Sequence, residues 1–225
     1  MLGRFSEDFG VYARFSRAER GDDALTQAQV TGEWRLGESD TLSAEVRRVE
    51  EDQSGSAAAG VLGAVKYLHR FGSTLDLYGI GQLTLDDDGG RYEDNNALTV
   101  GGKYLFGELS SVGMEATTGD RGNAVTAEAE YRLMPEHSFY GSYTLSTDTT
   151  AYDPLFNPGG ADGWTLGQRW RLSDQINVFN ESQYLKEQGE SGLAHTFGLD
   201  FYPARGWNTG FTLQSGELTN IEGGL

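Results

Sequence analysis

The chain has 225 residues, a formal charge of −17, 32 glycines, 26 aromatic residues, four prolines and no cysteine. Without cysteine there is no disulfide framework and no thiolate metal site, and no run approaches the ~18 apolar residues of a membrane-spanning helix. The mean hydropathy of −0.49 is equally compatible with a soluble protein and with a chain that is apolar only at alternate residues, so periodicity has to separate the two.

That periodicity is two along almost the whole chain, and it predicts thirteen strands, at roughly 9–19, 25–36, 41–49, 58–71, 74–85, 96–106, 109–118, 123–133, 138–147, 163–172, 175–186, 192–202 and 207–215. The apolar face of the second is Ala28, Val30, Gly32, Trp34 and Leu36. The fifth has Leu75, Leu77, Gly79, Gly81, Leu83 and Leu85 on one face and Asp76, Tyr78, Gln82 and Thr84 on the other, with Ile80 the exception. Further along come Leu98, Val100, Gly102, Tyr104 and Phe106, then Val125, Ala127, Ala129, Tyr131 and Leu133. Phe139, Gly141, Tyr143 and Leu145, and then Leu193, His195, Phe197, Leu199 and Phe201, repeat the pattern. No stretch keeps a 3.6-residue apolar stripe for three turns, so no helix is predicted.

The strands are punctuated by a recurring phrase of an aromatic, a basic residue, Leu or Phe, and then turn residues. It is clearest at Trp34-Arg35-Leu36, Tyr131-Arg132-Leu133 and Trp170-Arg171-Leu172. Looser copies bring the total to seven, centred on positions 4, 35, 70, 105, 132, 171 and 202, at the spacing of two strands and a loop. Between these tight turns lie connections predicted to be longer, at 19–24, 50–57, 86–96, 117–123, 146–162, 186–192 and 216–224. They carry −15 of the total −17, which places nearly all the excess acid on one rim.

Strands of about ten residues, apolar on one face and joined alternately by short turns and longer polar loops, resemble a bacterial outer-membrane β-barrel. The resemblance covers the whole chain as a pattern and carries no motif of a particular porin or transporter. It implies an all-β fold, an antiparallel up-and-down transmembrane β-barrel of about 12–14 strands. Residues 1–225 then form a single barrel domain in the bacterial outer membrane, with lipid around it, periplasmic short turns and extracellular acidic loops. Outer-membrane barrels of this kind often end in an aromatic, whereas this chain ends Ile221-Glu222-Gly223-Gly224-Leu225 and starts close to a turn without a signal peptide. A segment of a longer barrel or a trimmed precursor is therefore expected. The residues argue the same way without the resemblance. Thirteen half-apolar strands in an open sandwich would leave edges to protect. A closed barrel of this circumference has a wide interior, lined here by charge, Gln and Thr, so the apolar face must point outward into lipid.

Trp34, Tyr104, Tyr131, Trp170 and Phe201 sit on the apolar face just before tight turns, where a membrane interface would lie. Cross-strand stapling of the hairpins would place aromatics there too. A basic belt is expected on the polar face near the short-turn end, made of Arg35, Lys66, Arg70, Lys103, Arg132, Arg169 and Arg171, with Glu33, Glu128 and Glu130 as acidic partners. The belt reads either as a salt-bridge ladder holding register or as an anion-attracting constriction.

The bulky members of the polar face, Tyr12, Leu68, Tyr78, Leu105, Tyr140, Phe179 and Leu185, fill such a barrel only in part, so a water-filled lumen is expected. No catalytic site is predicted: His69, His137 and His195 lie on distant strands, and His137 and Ser138, being adjacent in an extended segment, point apart. Residues 86–96 gather hard oxygen ligands but lack EF-hand spacing, and read better as a solvated acidic loop. The loop 153–160, the longest and the one with exposed apolar residues, could fold inward or cap the mouth.

No cofactor, metal or nucleic-acid partner is expected, and the oligomeric state is open. The function implied is a passive pore for ions or small polar solutes. The alternatives are a non-conducting membrane anchor or scaffold and, if the lipid argument fails, a soluble β-rich binding module.

Overall fold

A computed structural model describes residues 2–4, 6–20, 23–53, 55–88, 95–107, 109–147, 162–187, 190–204, 207 and 209–218. These residues form fourteen strands: β1 (Leu2–Arg4), β2 (Phe9–Arg20), β3 (Asp23–Arg35), β4 (Asp40–Gln53), β5 (Ser56–Phe71), β6 (Leu75–Asp88), β7 (Ala97–Phe106), β8 (Ser110–Gly119), β9 (Gly122–Met134), β10 (His137–Ser146), β11 (Asp162–Ser173), β12 (Ile176–Glu187), β13 (Glu190–Phe201) and β14 (Thr209–Leu218). Each strand is hydrogen-bonded to its neighbours in sequence, in the order β1 to β14. β2–β14 are the thirteen predicted strands, and the three-residue β1 is added ahead of them.

The expected contrast between short and long connections is corrected. β4 and β5 are separated only by residues 54–55, β2 and β3 by 21–22, β8 and β9 by 120–121, and β12 and β13 by 188–189. Glu50, Glu51 and Asp52 belong to β4, and Asp86–Asp88 to β6. Acidity marks solvation rather than chain reversal, and a strand that continues past its apolar stretch can carry carboxylates while keeping its ladder. Long connections remain at 89–96 and 147–161; the loop 153–160 and residues 89–94 lie outside the described residues.

By internal contacts the chain divides into two compact units, residues 1–102 with 115–123 and residues 103–114 with 124–225. In the first, antiparallel register aligns the apolar face strand by strand. Phe9 lies opposite Trp34, Trp34 opposite Leu42, Leu42 opposite Tyr67 and Tyr67 opposite Gly79. A deeper row runs Val30, Val46, Gly63 and Leu83. In the second unit, Tyr131, Phe139, Gln168, Asn180, Phe197 and Leu213 form one such row. The row beside it is Ala129, Gly141, Leu166, Ser182, His195 and Ser215.

Neither unit contains a conventional core. Among the described residues five apolar side chains are buried, Leu25, Val49, Ala58, Leu185 and Ala194, while thirty-five large apolar residues are exposed. A soluble domain has the opposite balance. The exposed set includes the predicted apolar rows, with Val30, Leu83, Leu98, Val100, Leu133, Leu145 and Leu166 each more than half exposed.

Candidate functional site

The polar face acquires its side chains by parity. Wherever an aromatic such as Trp34 or Trp170 lies on the apolar face, the basic residue beside it in the repeated phrase points to the opposite one. In the first unit this places Arg35, Lys66 and Arg70 on the polar face. Arg70 grips Asp76 across the β5–β6 turn with two bonds, Nε–Oδ1 2.8 Å and Nη2–Oδ2 3.1 Å, the fork geometry that favours arginine at a carboxylate. Lys66 Nζ stands 4.5 Å above the Tyr78 ring. Arg35 and Glu33 have no side-chain partner among the described residues.

In the second unit Lys103 Nζ lies 3.4 Å from Glu128 and Arg132 Nη2 lies 3.9 Å from Glu130. Arg132 also donates to the Pro135 carbonyl at 3.1 Å, while its Nε is buried without a partner. Arg171 pairs with Asp174 in the turn at 2.9 Å. Arg169 stacks over the Tyr140 ring at 4.2 Å. Two of the three expected acidic partners, Glu128 and Glu130, thus stand beside belt cations, and turn-proximal aspartates supply the rest.

Two constructions on this face were not foreseen. Tyr78 of β6 lies across Gly101 of β7, where an added Cβ would come within 2.5 Å of the ring, and its hydroxyl donates to Glu115 Oε2 of β8 at 2.8 Å. Tyr140 of β10 lies across Gly167 of β11 in the same way and donates to Glu181 of β12 at 2.8 Å. Each is therefore a cation, a phenol and a carboxylate in sequence, with a glycine beneath the ring; such close passage needs glycine. Phe179 covers Gly198 without the polar ends. Also missed was Arg47, which binds Glu45 Oε1 at 2.7 Å while Gln29 and Thr31 donate to the other oxygen at 2.7 and 3.2 Å. Arg47 and Glu45 are two apart on a polar face, a spacing that would have revealed the pair.

All five predicted interface aromatics are exposed on the apolar face, between 36% and 54%. Cross-strand stacking is present as well: Phe9 on Trp34 at 4.8 Å and His137 on Trp170 at 5.1 Å. At the same end Asp40 accepts from Tyr67 Oη at 2.5 Å and pairs with His69 Nδ1 at 2.7 Å. The structure forms a serine–histidine contact that spacing did not reveal, Ser182 Oγ to His195 Nδ1 at 2.8 Å. Among the described residues no carboxylate orients that imidazole, and a nucleophilic dyad needs one. No group of three or more His, Cys, Asp or Glu side chains with metal-site geometry occurs among the described residues.

An antiparallel sheet whose neighbours all follow sequence order, wet on one face and apolar on the other, has counterparts among solved structures. Three variant structures of the porin of Rhodopseudomonas blastica superpose on it. Their TM-scores are 0.53, 0.54 and 0.54 at 12% identity, over 92%, 92% and 93% of this chain and 93% of each porin chain. The fold is that of a porin. At this identity the likeness extends to the path of the chain, an all-β antiparallel sheet in up-and-down order, and the side chains must be argued on their own. No protein-family model matches the chain, and no curated protein sequence matches it.

Proposed function

We propose that this chain is a passive pore of a bacterial outer membrane, admitting ions or small polar solutes, with its apolar face in lipid and its polar face lining a water-filled lumen. The observation that carries the reading is the inverted burial, with large apolar side chains exposed on one face of a porin fold and charged side chains lining the other. Three rings of the polar face support an open passage, since Tyr78, Tyr140 and Phe179 lie across glycines of neighbouring strands instead of projecting from the wall.

The basic belt is largely paired within the sheet, and Arg70 with Asp76 and Lys103 with Glu128 tie different strands together. Arg70, Lys103, Arg132 and Arg171 each stand beside a carboxylate, and Lys66 and Arg169 are spread over phenol rings. A neutralised belt contributes little field, so the acid at the far strand ends sets selectivity. It concentrates cations there over a screening length of about 8 Å at physiological salt.

The test is single-channel recording in a planar bilayer under a salt gradient. The wild type is expected to conduct with weak cation preference, strengthened in Arg132→Ala with Arg171→Ala, where the freed carboxylates remain. Absence of conductance would leave a non-conducting anchor or scaffold, and anion selectivity of the wild type would refute the neutralised belt.

A further inference from the structure

On the polar face of the first unit, β3 and β4 carry eight side chains that lie opposite one another in pairs: Gln29 and Arg47, Thr31 and Glu45, Glu33 and Ser43, Arg35 and Thr41. Taken in fours, they make two consecutive blocks of the same composition, one carboxylate, one guanidinium and two neutral hydrogen-bonding groups. The first block is closed on itself. Glu45 Oε1 accepts from Arg47 Nε at 3.1 Å and Nη2 at 2.7 Å, and Oε2 accepts from Gln29 at 2.7 Å and Thr31 at 3.2 Å.

The second block is open. Glu33, Arg35, Thr41 and Ser43 make no side-chain bond among the described residues, and Glu33 and Arg35 are both exposed. Their spacing along the strand does not explain this. At the same separation of two residues Arg17 meets Glu19 at 2.6 Å, Arg47 meets Glu45 at 2.7 Å, Arg48 meets Glu50 at 2.8 Å and Arg132 meets Glu130 at 3.9 Å. On the β2 side Glu33 lies opposite Gly10, which has no side chain to close over the block.

An unengaged carboxylate and an unengaged guanidinium, rooted about 7 Å apart along one strand, are complementary to a molecule that carries both an ammonium and a carboxylate. The guanidinium fork donates two parallel bonds to a carboxylate, and the Glu33 carboxylate accepts from an ammonium. Ser43 and Thr41, directly across from them, each add a hydroxyl that both donates and accepts. A simple anion drawn to Arg35 meets Glu33, and a simple cation drawn to Glu33 meets Arg35, so a dipolar ion alone gains at both ends. Such an ion has no net charge. The acid at the far strand ends therefore neither collects nor repels it, and contact with the wall has to select it.

We infer that Glu33, Arg35, Thr41 and Ser43 form a wall subsite for small zwitterionic solutes, amino acids and short peptides, with the ammonium held by Glu33 and the carboxylate by Arg35. The inference rests on the reading of the polar face as the lining of a water-filled lumen, and it names a class of solute for that lumen. The closed block beside the subsite bonds β3 to β4 through Glu45, which fixes the two strands that present it.

The probe is glycylglycine, titrated into a planar bilayer holding the purified protein at low ionic strength, where exposed charges are least screened. It is expected to lower the conductance saturably. Glu33→Gln and Arg35→Gln, each at an exposed position, should raise the half-effect concentration at least fivefold. Arg14→Gln should leave it unchanged, because Arg14 is exposed and unpartnered on the same face of β2 but has Tyr12 and Ser16, not a carboxylate, two residues away. N-acetylglycine, which keeps only the carboxylate, and glycinamide, which keeps only the ammonium, should each need at least fivefold more than glycylglycine. Equal half-effect concentrations in the wild type and the two glutamine variants, the same loss in Arg14→Gln, or equal potency of a singly charged analogue would overturn the proposal. Failure of the pore reading has a separate signature, a wild type that inserts without conducting. The subsite is then read from broadening of the glycylglycine methylene proton signals by the protein in detergent: broadening that Arg35→Gln removes would uphold it, and its absence in the wild type would overturn it.

Discussion

Replacing Gly101 by alanine tests the cation–phenol–carboxylate construction directly. The new Cβ would fall 2.5 Å from both Cζ and Oη of Tyr78 and 2.8 Å from its Cε2, so the ring has to leave. Its departure breaks the 2.8 Å bond to Glu115 and the 4.5 Å stacking of Lys66. A hydrogen bond to a charged group contributes about 1.5–3 kcal/mol, and an exposed cation–π contact about 0.5–1 kcal/mol. Alanine in place of glycine returns about 0.5–1 kcal/mol of backbone entropy, which leaves a net loss of roughly 1–3 kcal/mol.

Equilibrium urea unfolding in vesicles, followed by tryptophan fluorescence, measures the loss. The decisive comparison is the same substitution in a Tyr78→Ala background. With no ring to displace, Gly101→Ala is expected to be neutral or stabilising. Equal stability of wild type and Gly101→Ala, or the same loss in both backgrounds, would refute the argument.

Ala127→Arg puts a guanidinium on the apolar face about 13 Å along the strand from Tyr131, and a loss of about 2–4 kcal/mol is expected near midplane, measured by the same unfolding; a harmless substitution would remove that face from the hydrocarbon. Glu128→Gln frees Lys103 from its 3.4 Å partner and should move the reversal potential toward anions in a salt gradient, with no shift expected only if Lys103 lies outside the conduction path. Asp76→Ala releases Arg70 from its two-bond grip and should shift selectivity in the same direction, because both substitutions remove a carboxylate and leave a cation exposed. Each shift should shrink as salt rises from 0.1 to 1 M, where screening contracts from about 10 to about 3 Å.

The positions of β2–β14 were legible because alternation is a local property: Leu75 to Leu85 declares its two faces without reference to any other strand. Parity alone likewise puts Arg132 and Tyr131 on opposite faces of β9. What depends on register was not. Tyr78 and Gly101 are 23 residues apart, and nothing in a single strand says that one will lie over the other. The available signal was indirect, glycines on the polar face at 101, 167 and 198, where a small residue has no solvation reason to be. The long connections were misread because carboxylates were taken as evidence of chain reversal, whereas Glu50–Asp52 are solvated residues of a strand that continues. The polar residues on the second unit's apolar face were half visible: His195 was noted there, but Gln168, Asn180 and Ser182 join it only through the pairing of β11, β12 and β13.

Because, among the described residues, every strand pairs only with its sequence neighbours, the hairpin is the unit in which this architecture can grow or shrink. Deleting two consecutive strands with their turn brings the flanking strands together in the same antiparallel sense, each with its apolar face on the original side. Deleting one strand sets two parallel neighbours side by side, joined by a connection too short to cross over. Length variants of such a chain are therefore constrained to steps of two strands, and the repeated phrase of aromatic, cation and turn marks where each step can be cut.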